Sequence, residues 1–487
     1  MNRLIRVLAL ALALLSSAGC AEGETSMKNI PLQKSCKKAG QNNPLYTQRF
    51  GADPGVMEYE GRLYVYMTDD QIERDASGRV VENSYRKIRT INCISSDDLV
   101  NWTDHGRIPV AGPDGAAKWA SNSWAPCAAH KTINGKEKFF LYFCNGGNGI
   151  GVLCADSPTG PWRDELGHLL ISRDVKNCAD VTWLFDPAVM VDEDGTGYLA
   201  FGGGIPEGRQ EAPGTGRIVR LDDDMLSLDG DPVRLDIPWL FEDSGINRIG
   251  DTYYYTYCSN FQTKGNSLGL TDGAIQYMTA ENPLGPYTYR GELFPNEGHF
   301  FGLYGNNHHS LACLNGEWYL FYHNRPVEQA MGITGNYRSP QAERISFGED
   351  GFPLQVAGTM KGLSQLKPVN PFLPVPAAMM SREAGITVEG EGFDTRITGE
   401  AGCWIQVSGV DFGSSAAVLE VTAEGQSCCT LYAVPDDPEG SAVSEIRLDL
   451  PEGAGPAVFS APVSIEGIHD LYLIADGKIT LRSWQIR

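Results

Sequence analysis

The chain has 487 residues, and at about 100–200 residues per domain this length predicts two to four domains. Hydrophobic residues make up 42% and charged residues 21%, ordinary globular usage that argues against wholesale disorder or a coiled coil. With 39 basic and 61 acidic residues the formal net charge is −22. A surface that binds nucleic acid would have to overcome this repulsive field, so we expect no nucleic-acid partner.

The N-terminus has the pattern of an export signal. Two arginines precede an apolar run from Val7 to Leu15 that is too short to cross a bilayer. Small residues then lead into Cys20, in a pattern similar to a bacterial lipoprotein cleavage site. We expect residues 1–19 to be a signal peptide, Cys20 to be lipidated and residues 20–42 to form a tether, with the lipid as the only membrane contact. An ordinary secreted protein is the alternative.

Five similar units follow the N-terminal segment. Each opens with a polar residue and a short apolar strand, and continues through a tight turn into an aromatic-rich strand. The turns are Glu60-Gly61, Asn134-Gly135, Asp194-Gly195, Gly250-Asp251 and Asn315-Gly316. Asn-Gly and Asp-Gly between apolar runs are strong hairpin signals. Because the units begin about 56 to 72 residues apart, each has room for four strands, and residues 43–366 are predicted to form a five-bladed β-propeller. A sandwich is the alternative.

The composition and the hydrophobic pattern of the sequence change after residue 365. Four prolines lie within residues 367–377, which predicts a linker or rigid strap. Residues 378–487 then show short alternating strands, such as Trp404–Val407 and Ala417–Val421, and have the length of one β-sandwich. The predicted fold is therefore all-β, a five-bladed propeller followed by a jelly-roll-like sandwich.

Acidic residues open three of the five units, namely Asp53, Asp186 and Glu242. An Asp at a strand start is usually a turn residue that caps its own backbone. The first strand of each propeller blade lines the axis, however, so these three acids are expected in equivalent positions around one cavity, where like charges raise the pKa of at least one. Glycoside cleavage needs such a set, with one acid to protonate the leaving oxygen and one carboxylate to activate water.

Several motifs resemble those of glycoside hydrolase family 43. They are Ala52–Pro54, Ser123–Pro126, Leu184–Val189, Phe241–Gly245 and Gly305–Ser310. Asn101–Gly106 and Asp156–Trp162 resemble the arabinoxylan arabinofuranohydrolases of that family. The resemblance implies a five-bladed propeller and hydrolysis with inversion of configuration. It assigns Asp53 as general base, Asp186 as the carboxylate that tunes and orients the acid, and Glu242 as general acid.

The resemblance also implies further site residues. Arg338 would contact the bound sugar, and Trp124, Phe261 and Asn306 would line the substrate pocket. His308 would lie beside a structural calcium ion in the central channel, while the chemistry itself would need no cofactor. Because calcium prefers oxygen ligands, waters would have to complete its shell. A hydrogen-bonded core histidine without a metal is the alternative.

The C-terminal domain resembles carbohydrate-binding module family 6. The similar segments are Gly402–Ile405, Val410–Gly413 and Gly467–Leu473. The loop from Pro451 to Val463 has no tryptophan where such modules commonly present a sugar-stacking aromatic, and Trp404 and Trp484 could belong to the core. The domain either binds xylan or supports the propeller, and a structural calcium ion there is a further expectation.

The leading functional prediction is an exported, monomeric hydrolase that removes α-L-arabinofuranosyl side chains from arabinoxylan or a related plant cell-wall polysaccharide. A β-xylosidase or an arabinan-degrading activity of the same family is an alternative, since the pocket loops decide the sugar. A non-catalytic glycan-binding surface lipoprotein is a third possibility. The presence of all three acids argues against loss of catalysis.

Overall fold

A computed structural model describes residues 30–211, 213–414 and 417–487. The predicted signal peptide, the lipidation of Cys20 and the first part of the tether lie outside these residues. These described residues include two short helices, α1 (Gly298–Phe301) and α2 (Pro326–Met331). Across the described ranges, no helix has the length and apolarity needed to cross a membrane.

Five antiparallel sheets form the N-terminal domain. Blade 1 contains β1 (Ala52–Tyr59), β2 (Arg62–Thr68), β3 (Thr90–Ser96) and β4 (Trp102–Pro109). Blade 2 contains β5 (Trp124–Ile133), β6 (Lys136–Cys144) and β7 (Ile150–Ala155). Blade 3 contains β8 (Ala188–Val191), β9 (Gly197–Gly202), β10 (Gly216–Leu221) and β11 (Val233–Leu235). Blade 4 contains β12 (Leu240–Ile249), β13 (Thr252–Ser259), β14 (Ile275–Ala280) and β15 (Thr288–Phe294). Blade 5 contains β16 (His309–Leu314), β17 (Glu317–Asn324) and β18 (Ser339–Arg344).

The first strands of the blades contact one another in a closed circle. Strand β1 contacts β5, β5 contacts β8, β8 contacts β12, β12 contacts β16, and β16 contacts β1 again. The hairpins form at the predicted turns; Tyr59 pairs with Arg62, for example, and Gly61 between them has a φ of 74°. A glycine adopts this left-handed conformation without steric cost. The five-bladed propeller is confirmed, and the sandwich alternative for this region is wrong.

The circle is closed by the segment 43–51, which precedes β1 in the sequence. Its Leu45 N–H donates to the carbonyl of Pro340 in β18 at 2.8 Å. Its Gly51 N–H donates to the carbonyl of Arg338 at 2.9 Å. The chain that enters blade 1 is thus hydrogen-bonded to blade 5, which ties the first and last blades together.

The C-terminal domain is a β-sandwich. Its strands are β19 (Val375–Pro376), β21 (Arg382–Glu389), β22 (Arg396–Asp411), β23 (Val418–Ala423), β24 (Ser427–Pro435), β25 (Ser444–Leu450), β26 (Ala457–Pro462), β27 (Ile468–Ala475) and β28 (Ile479–Ile486). The side chains of Trp404 and Trp484 are only 4% and 1% exposed, and both pack among buried apolar residues. These two tryptophans therefore belong to the core and do not offer a ring to a sugar.

The two domains share secondary structure. Strand β20 (Met379–Met380) pairs with β4 as a fifth strand of blade 1, while β19 pairs with β28 of the sandwich. The Asn101 side chain donates to the Ser408 carbonyl at 2.9 Å and accepts from the Ser408 N–H at 2.8 Å. His105 hydrogen-bonds the Gly392 carbonyl at 2.8 Å. The segment around Asn101 to His105 therefore serves the domain interface.

Residues near the start of the described chain also lie on the sandwich. The Gln33 N–H donates to the Gly402 carbonyl at 2.9 Å, and the Gln33 carbonyl accepts from the Trp404 indole at 2.9 Å. Ile30 and Leu32 pack against the core around Trp404. This part of the predicted tether is thus held against the C-terminal domain.

We expect deletion of residues 372–487 to destabilise the propeller. The deletion removes β20 and leaves β4 as an open edge beside Trp102, whose side chain is 1% exposed in the intact protein. Unpaired edges promote aggregation. Thermal unfolding followed by circular dichroism should give a melting temperature lower by roughly 5 °C or more, or no soluble protein. A surface change such as Val458→Ser is the control, and a truncated propeller with an unchanged melting temperature would contradict the expectation.

Candidate active site

One residue from each blade lies at an equivalent position on the axis. In blades 1, 2 and 4, a residue near the start of the first strand pairs with the second strand, and the register of the pairing then shifts. The residue that lies on the axis comes directly after this paired residue. The five residues in this position, here called the axial ring, are Asp53, Ala125, Asp186, Asp243 and His308. The first four have positive φ angles, from 36° to 68°. A strained backbone at four equivalent positions marks this ring as a functional site.

Glu242 does not belong to the axial ring. It pairs with Cys258 before the register shift, just as Ala52 pairs with Thr68 before the shift in blade 1. The prediction that the three acids occupy equivalent positions is therefore wrong for Glu242, because Asp243 takes the axial position of blade 4. The adjacent acids of Glu242-Asp243 were the only sequence signal for this second carboxyl group.

His308 connects the acids of the ring. Its Nε2 lies 3.1 Å from Asp243 Oδ1. Its Nδ1 lies 3.7 Å from Asp186 Oδ2 and 3.8 Å from Asp53 Oδ1. His309 Nδ1 pairs with the other carboxyl oxygen of Asp243. Apart from Ala125, the axial ring is thus a connected set of carboxyl and imidazole groups.

The side chains around His308 do not by themselves make up the oxygen shell of a calcium ion. Calcium takes six to eight oxygen ligands, whereas the imidazole nitrogens of His308 face carboxyl groups. In the part of the chain that the structure describes, no three His, Cys, Asp or Glu side chains are grouped to hold a metal. The calcium ions expected beside His308 and in the C-terminal domain stay predictions, and the chemistry below uses neither.

Asp53 is held in its ionised form. Burial favours the neutral acid, but Arg338 Nη1 donates to Asp53 Oδ1 at 2.7 Å and Thr68 donates to Oδ2 at 2.6 Å. Arg338 above all, with His308 and Thr68, lowers the pKa of Asp53 to about 2. A buried carboxylate that stays charged at neutral pH is suited to accept a proton.

Asp186 is fixed on both of its carboxyl oxygens. Its Oδ2 accepts from the Asp243 N–H at 2.9 Å, and its Oδ1 lies 3.8 Å from the Cys144 thiol. Burial raises its pKa to about 6, with His308 opposing the shift and Asp53 adding to it. Asp186 thus holds the peptide that carries Glu242.

Glu242 is held in its neutral form. Its side chain is buried, and burial together with the charges of Asp186, Asp243 and Asp53 raises its pKa well above its ordinary value. Within the described chain, Glu242 Oε1 has no hydrogen-bond partner. A protonated carboxyl group without a protein partner is suited to donate its proton to a ligand.

The three acids open into one small cavity of about 140 Å³. Its lining residues are Asp53, Thr68, Tyr85, Ile88, Trp124, Ala125, Phe185, Asp186, Glu242, Asn306, His308 and Arg338. Among the residues expected to bind substrate, Trp124, Asn306 and Arg338 line it and Phe261 does not. Phe261 instead ends a row of edge-to-face aromatic contacts that starts at Phe185 and runs through Trp183 and Phe241, with centroids 5.2 Å apart at each step.

Two residues that support the cavity were not identified from the sequence. Asp70 accepts from Arg338 Nε at 2.8 Å and from Nη2 at 2.9 Å, which fixes the plane of the guanidinium. The Tyr85 ring lies 5.0 Å from Arg338 Cζ, and the Tyr85 carbonyl accepts from the Trp124 indole at 2.9 Å. Only the folded chain brings Asp70 to Arg338, because the two are 268 positions apart.

Residues 41–353 match the family model described as Glycosyl hydrolases family 43. The chain belongs to glycoside hydrolase family 43. An arabinoxylan arabinofuranohydrolase of Bacillus subtilis (strain 168) is 43% identical over 499 residues, covering 97% of this chain and 95% of that protein. The arabinoxylan arabinofuranohydrolase of Paenibacillus polymyxa is 41% identical over 483 residues, covering 94% and 75%. A crystal structure of a family 43 arabinoxylan arabinofuranohydrolase from Bacillus subtilis in complex with cellotetraose has a TM-score of 0.89 at 38% identity, covering 93% and 99%.

These matches confirm the predicted family and show that the protein is a glycoside hydrolase. The family 43 match contains all five members of the axial ring and Glu242. It ends at residue 353, so the C-terminal sandwich of this hydrolase lies outside it. The match to the solved Bacillus subtilis structure covers 93% of this chain, so it extends beyond the propeller into the sandwich.

Proposed function

We propose that this family 43 hydrolase is an exported enzyme that removes α-L-arabinofuranosyl side chains from arabinoxylan with inversion of configuration. The observation that carries the proposal is the contrast between two carboxyl groups in one small cavity: Asp53 accepts hydrogen bonds from Arg338 and Thr68, whereas Glu242 is buried beside other acids and its Oε1 has no partner in the described chain. Two carboxyl groups whose environments push their pKa values apart are suited to act as base and acid. Relatives named arabinoxylan arabinofuranohydrolases, similar over nearly the whole chain, support the substrate class.

The reaction needs one proton donor and one proton acceptor. Glu242 gives its proton to the glycosidic oxygen as the bond to the anomeric carbon breaks, and the electron pair of that bond stays on the xylan oxygen. Asp53 takes a proton from a water molecule, whose oxygen bonds to the anomeric carbon from the opposite face. Exchange with solvent then returns the proton to Glu242 and removes the one on Asp53.

Asp186 and Arg338 set the states of these two groups. Asp186 holds the Asp243 N–H, one residue from Glu242, and its charge raises the pKa of Glu242. Arg338 holds Asp53 through one nitrogen and Asp70 through two others. The base is thus kept ionised and the acid kept protonated by separate neighbours.

The size of the cavity supports removal of a single-residue branch. Pockets for drug-sized ligands have volumes of roughly 300–1,000 Å³, whereas this one measures about 140 Å³. A space this small suits one sugar ring at its closed end. The polymer backbone would then lie outside the cavity, beside the half-buried lining residues Trp124 and Asn306.

We infer that the C-terminal sandwich, which resembles carbohydrate-binding module family 6, mainly supports the propeller. Its two tryptophans are buried, and β20 completes blade 1. The export signal and the lipid on Cys20 belong to the same proposal, since plant cell-wall polysaccharide lies outside the cell that degrades it. We propose that the protein acts there as a monomer.

Proton NMR of the first product tests the mechanism. We expect arabinose released from arabinoxylan to show the inverted anomer before mutarotation, because Asp53 activates water on the face opposite the leaving group. Early appearance of the retained anomer would overturn the assignment. The same samples, with linear arabinan and an aryl β-xyloside as parallel substrates, test the sugar preference. Sugar from those two alone would favour the alternative activities, and no sugar from any substrate would favour a glycan-binding role.

A further inference from the structure

Side chains at the end of the second strand support the axial ring of the next blade. Thr68 ends β2, and its Oγ1 accepts from the backbone N–H of Ala125 at 2.8 Å. Cys144 ends β6, and its Sγ accepts from the backbone N–H of Asp186 at 2.9 Å. In both cases a side chain of one blade fixes the peptide of an axial residue in the following blade.

His323 in β17 makes the same contact across the junction between blades 5 and 1. Its Nδ1 accepts from the backbone N–H of Asp53 at 3.0 Å. Its Nε2 lies 3.0 Å from the carbonyl oxygen of Asn306 and donates to it. One imidazole thus holds both the candidate base and a residue of the pocket wall.

Both ring nitrogens of His323 make these contacts, and Nδ1 also lies 3.4 Å from Asp53 Oδ1. The side chain is 1% exposed, and burial, reinforced by Arg338, lowers its pKa to about 3. The ring is therefore neutral at working pH, with one lone pair and one N–H. The lone pair at Nδ1 meets the Asp53 N–H, and the N–H at Nε2 meets the Asn306 carbonyl, so these two bonds favour the tautomer with its proton on Nε2.

The backbone of Asp53 needs such a partner. Its φ is 51°, a conformation that non-glycine residues keep only when their surroundings impose it. Its N–H is buried, and a buried N–H without an acceptor is unfavourable. Rotation of this peptide group would move the Asp53 carboxylate away from the water molecule that it is proposed to activate.

We propose that His323 is a positioning residue for hydrolysis, fixing Asp53 through its backbone and the pocket wall through Asn306. The inference rests on the proposed function in taking Asp53 as the general base. Each of the two hydrogen bonds of His323 has a separate kinetic consequence. The bond to the Asp53 N–H affects the turnover rate, and the bond to the Asn306 carbonyl affects substrate binding.

Two variants separate the effects of these two hydrogen bonds. His323→Asn places an amide oxygen near the position of Nδ1 and keeps the acceptor for Asp53, while His323→Gln places an amide nitrogen near Nε2 and keeps the donor for Asn306. We expect His323→Gln to lower kcat by about 10²-fold, equally on arabinoxylan and on a nitrophenyl arabinofuranoside, with KM within a few-fold. We expect His323→Asn to keep kcat within a few-fold and to raise KM.

His105 provides the matched control. It is also buried and also makes two hydrogen bonds, to Ser95 and to Gly392, but at the domain interface. His105→Asn and His105→Gln should lower the melting temperature and leave kcat and KM near those of the wild type. Loss of kcat in these controls would show that any buried histidine change has the same effect, and would overturn the proposal.

Hydrogen exchange at the Asp53 amide gives a readout that does not depend on activity. We expect faster exchange in His323→Gln than in His323→Asn. The proposal is overturned if His323→Gln keeps the wild-type kcat, or if His323→Asn lowers kcat by about 10²-fold relative to the wild type; the second criterion can be applied even if the Gln variant does not fold. A wild-type protein that releases no sugar from any substrate would instead refute the proposed function, and the exchange measurement would still test the contact.

Discussion

Asp53→Asn should lose activity by a factor on the order of 10²–10⁴, and by a similar factor on arabinoxylan and on a nitrophenyl arabinofuranoside. The reason is that Asp53 is proposed to accept the proton of the attacking water, a step required whatever group departs. An amide at this position cannot accept that proton. Initial rates of sugar and nitrophenol release from the two substrates measure the effect.

The fold should tolerate this substitution. The Asn oxygen can still accept from Arg338 or Thr68, and Arg338 keeps both hydrogen bonds from its side chain to Asp70. Asp194→Asn is the matched control, because it makes the same chemical change in an exposed hairpin turn. An Asp53→Asn protein that is folded by circular dichroism yet active on both substrates would remove Asp53 from the role of base.

Glu242→Gln should separate the two substrates. On arabinoxylan the departing xylan oxygen is a poor leaving group that needs protonation, so the loss should be on the order of 10²–10⁴. Nitrophenolate is stable as an anion and needs little help, so the loss on that substrate should be much smaller. Gln is neutral and similar in shape to the protonated acid, which is why the buried site should accept it.

The pH profile provides a second readout for Glu242. Because its pKa is raised well above the ordinary value of Glu, it stays protonated to higher pH, and the wild-type rate on arabinoxylan should fall only as Glu242 loses its proton. The residual rate of the Gln variant on arabinoxylan should not show this fall at high pH. Glu60→Gln, in an exposed turn, is the control. Equal losses on both substrates would mean that another carboxyl group is the acid.

The propeller could be predicted because hairpin chemistry is local. Turns such as Asn134-Gly135 and Asn315-Gly316 specify their own strand pairs, and five such units at even spacing imply radial packing. The acids Asp53 and Asp186 followed from their place at the start of a unit. Glu242 lies in the site as expected, but the prediction that its position is equivalent to those of Asp53 and Asp186 was wrong. The register shift depends on how the first strand pairs with the second, and a single sequence does not show it.

Contacts between segments far apart in the chain could not be predicted from the sequence. Asp70 follows a strand and looks like a surface residue until Arg338 is placed beside it. The expected position of Phe261 on the pocket wall depended on a loop path that carries it instead to the far end of an aromatic row. Met379–Met380 falls beside the predicted linker, yet it forms a strand of blade 1.

The closure between blades 5 and 1 also determines when the enzyme can first work. Arg338, the cation that keeps Asp53 ionised, lies 285 positions after it in the chain. A propeller without its fifth blade would therefore hold the proposed base and acid but lack the guanidinium that keeps the base ionised. Under the proposed roles, catalytic competence and completion of the ring are reached in a single step, wherever the exported chain folds.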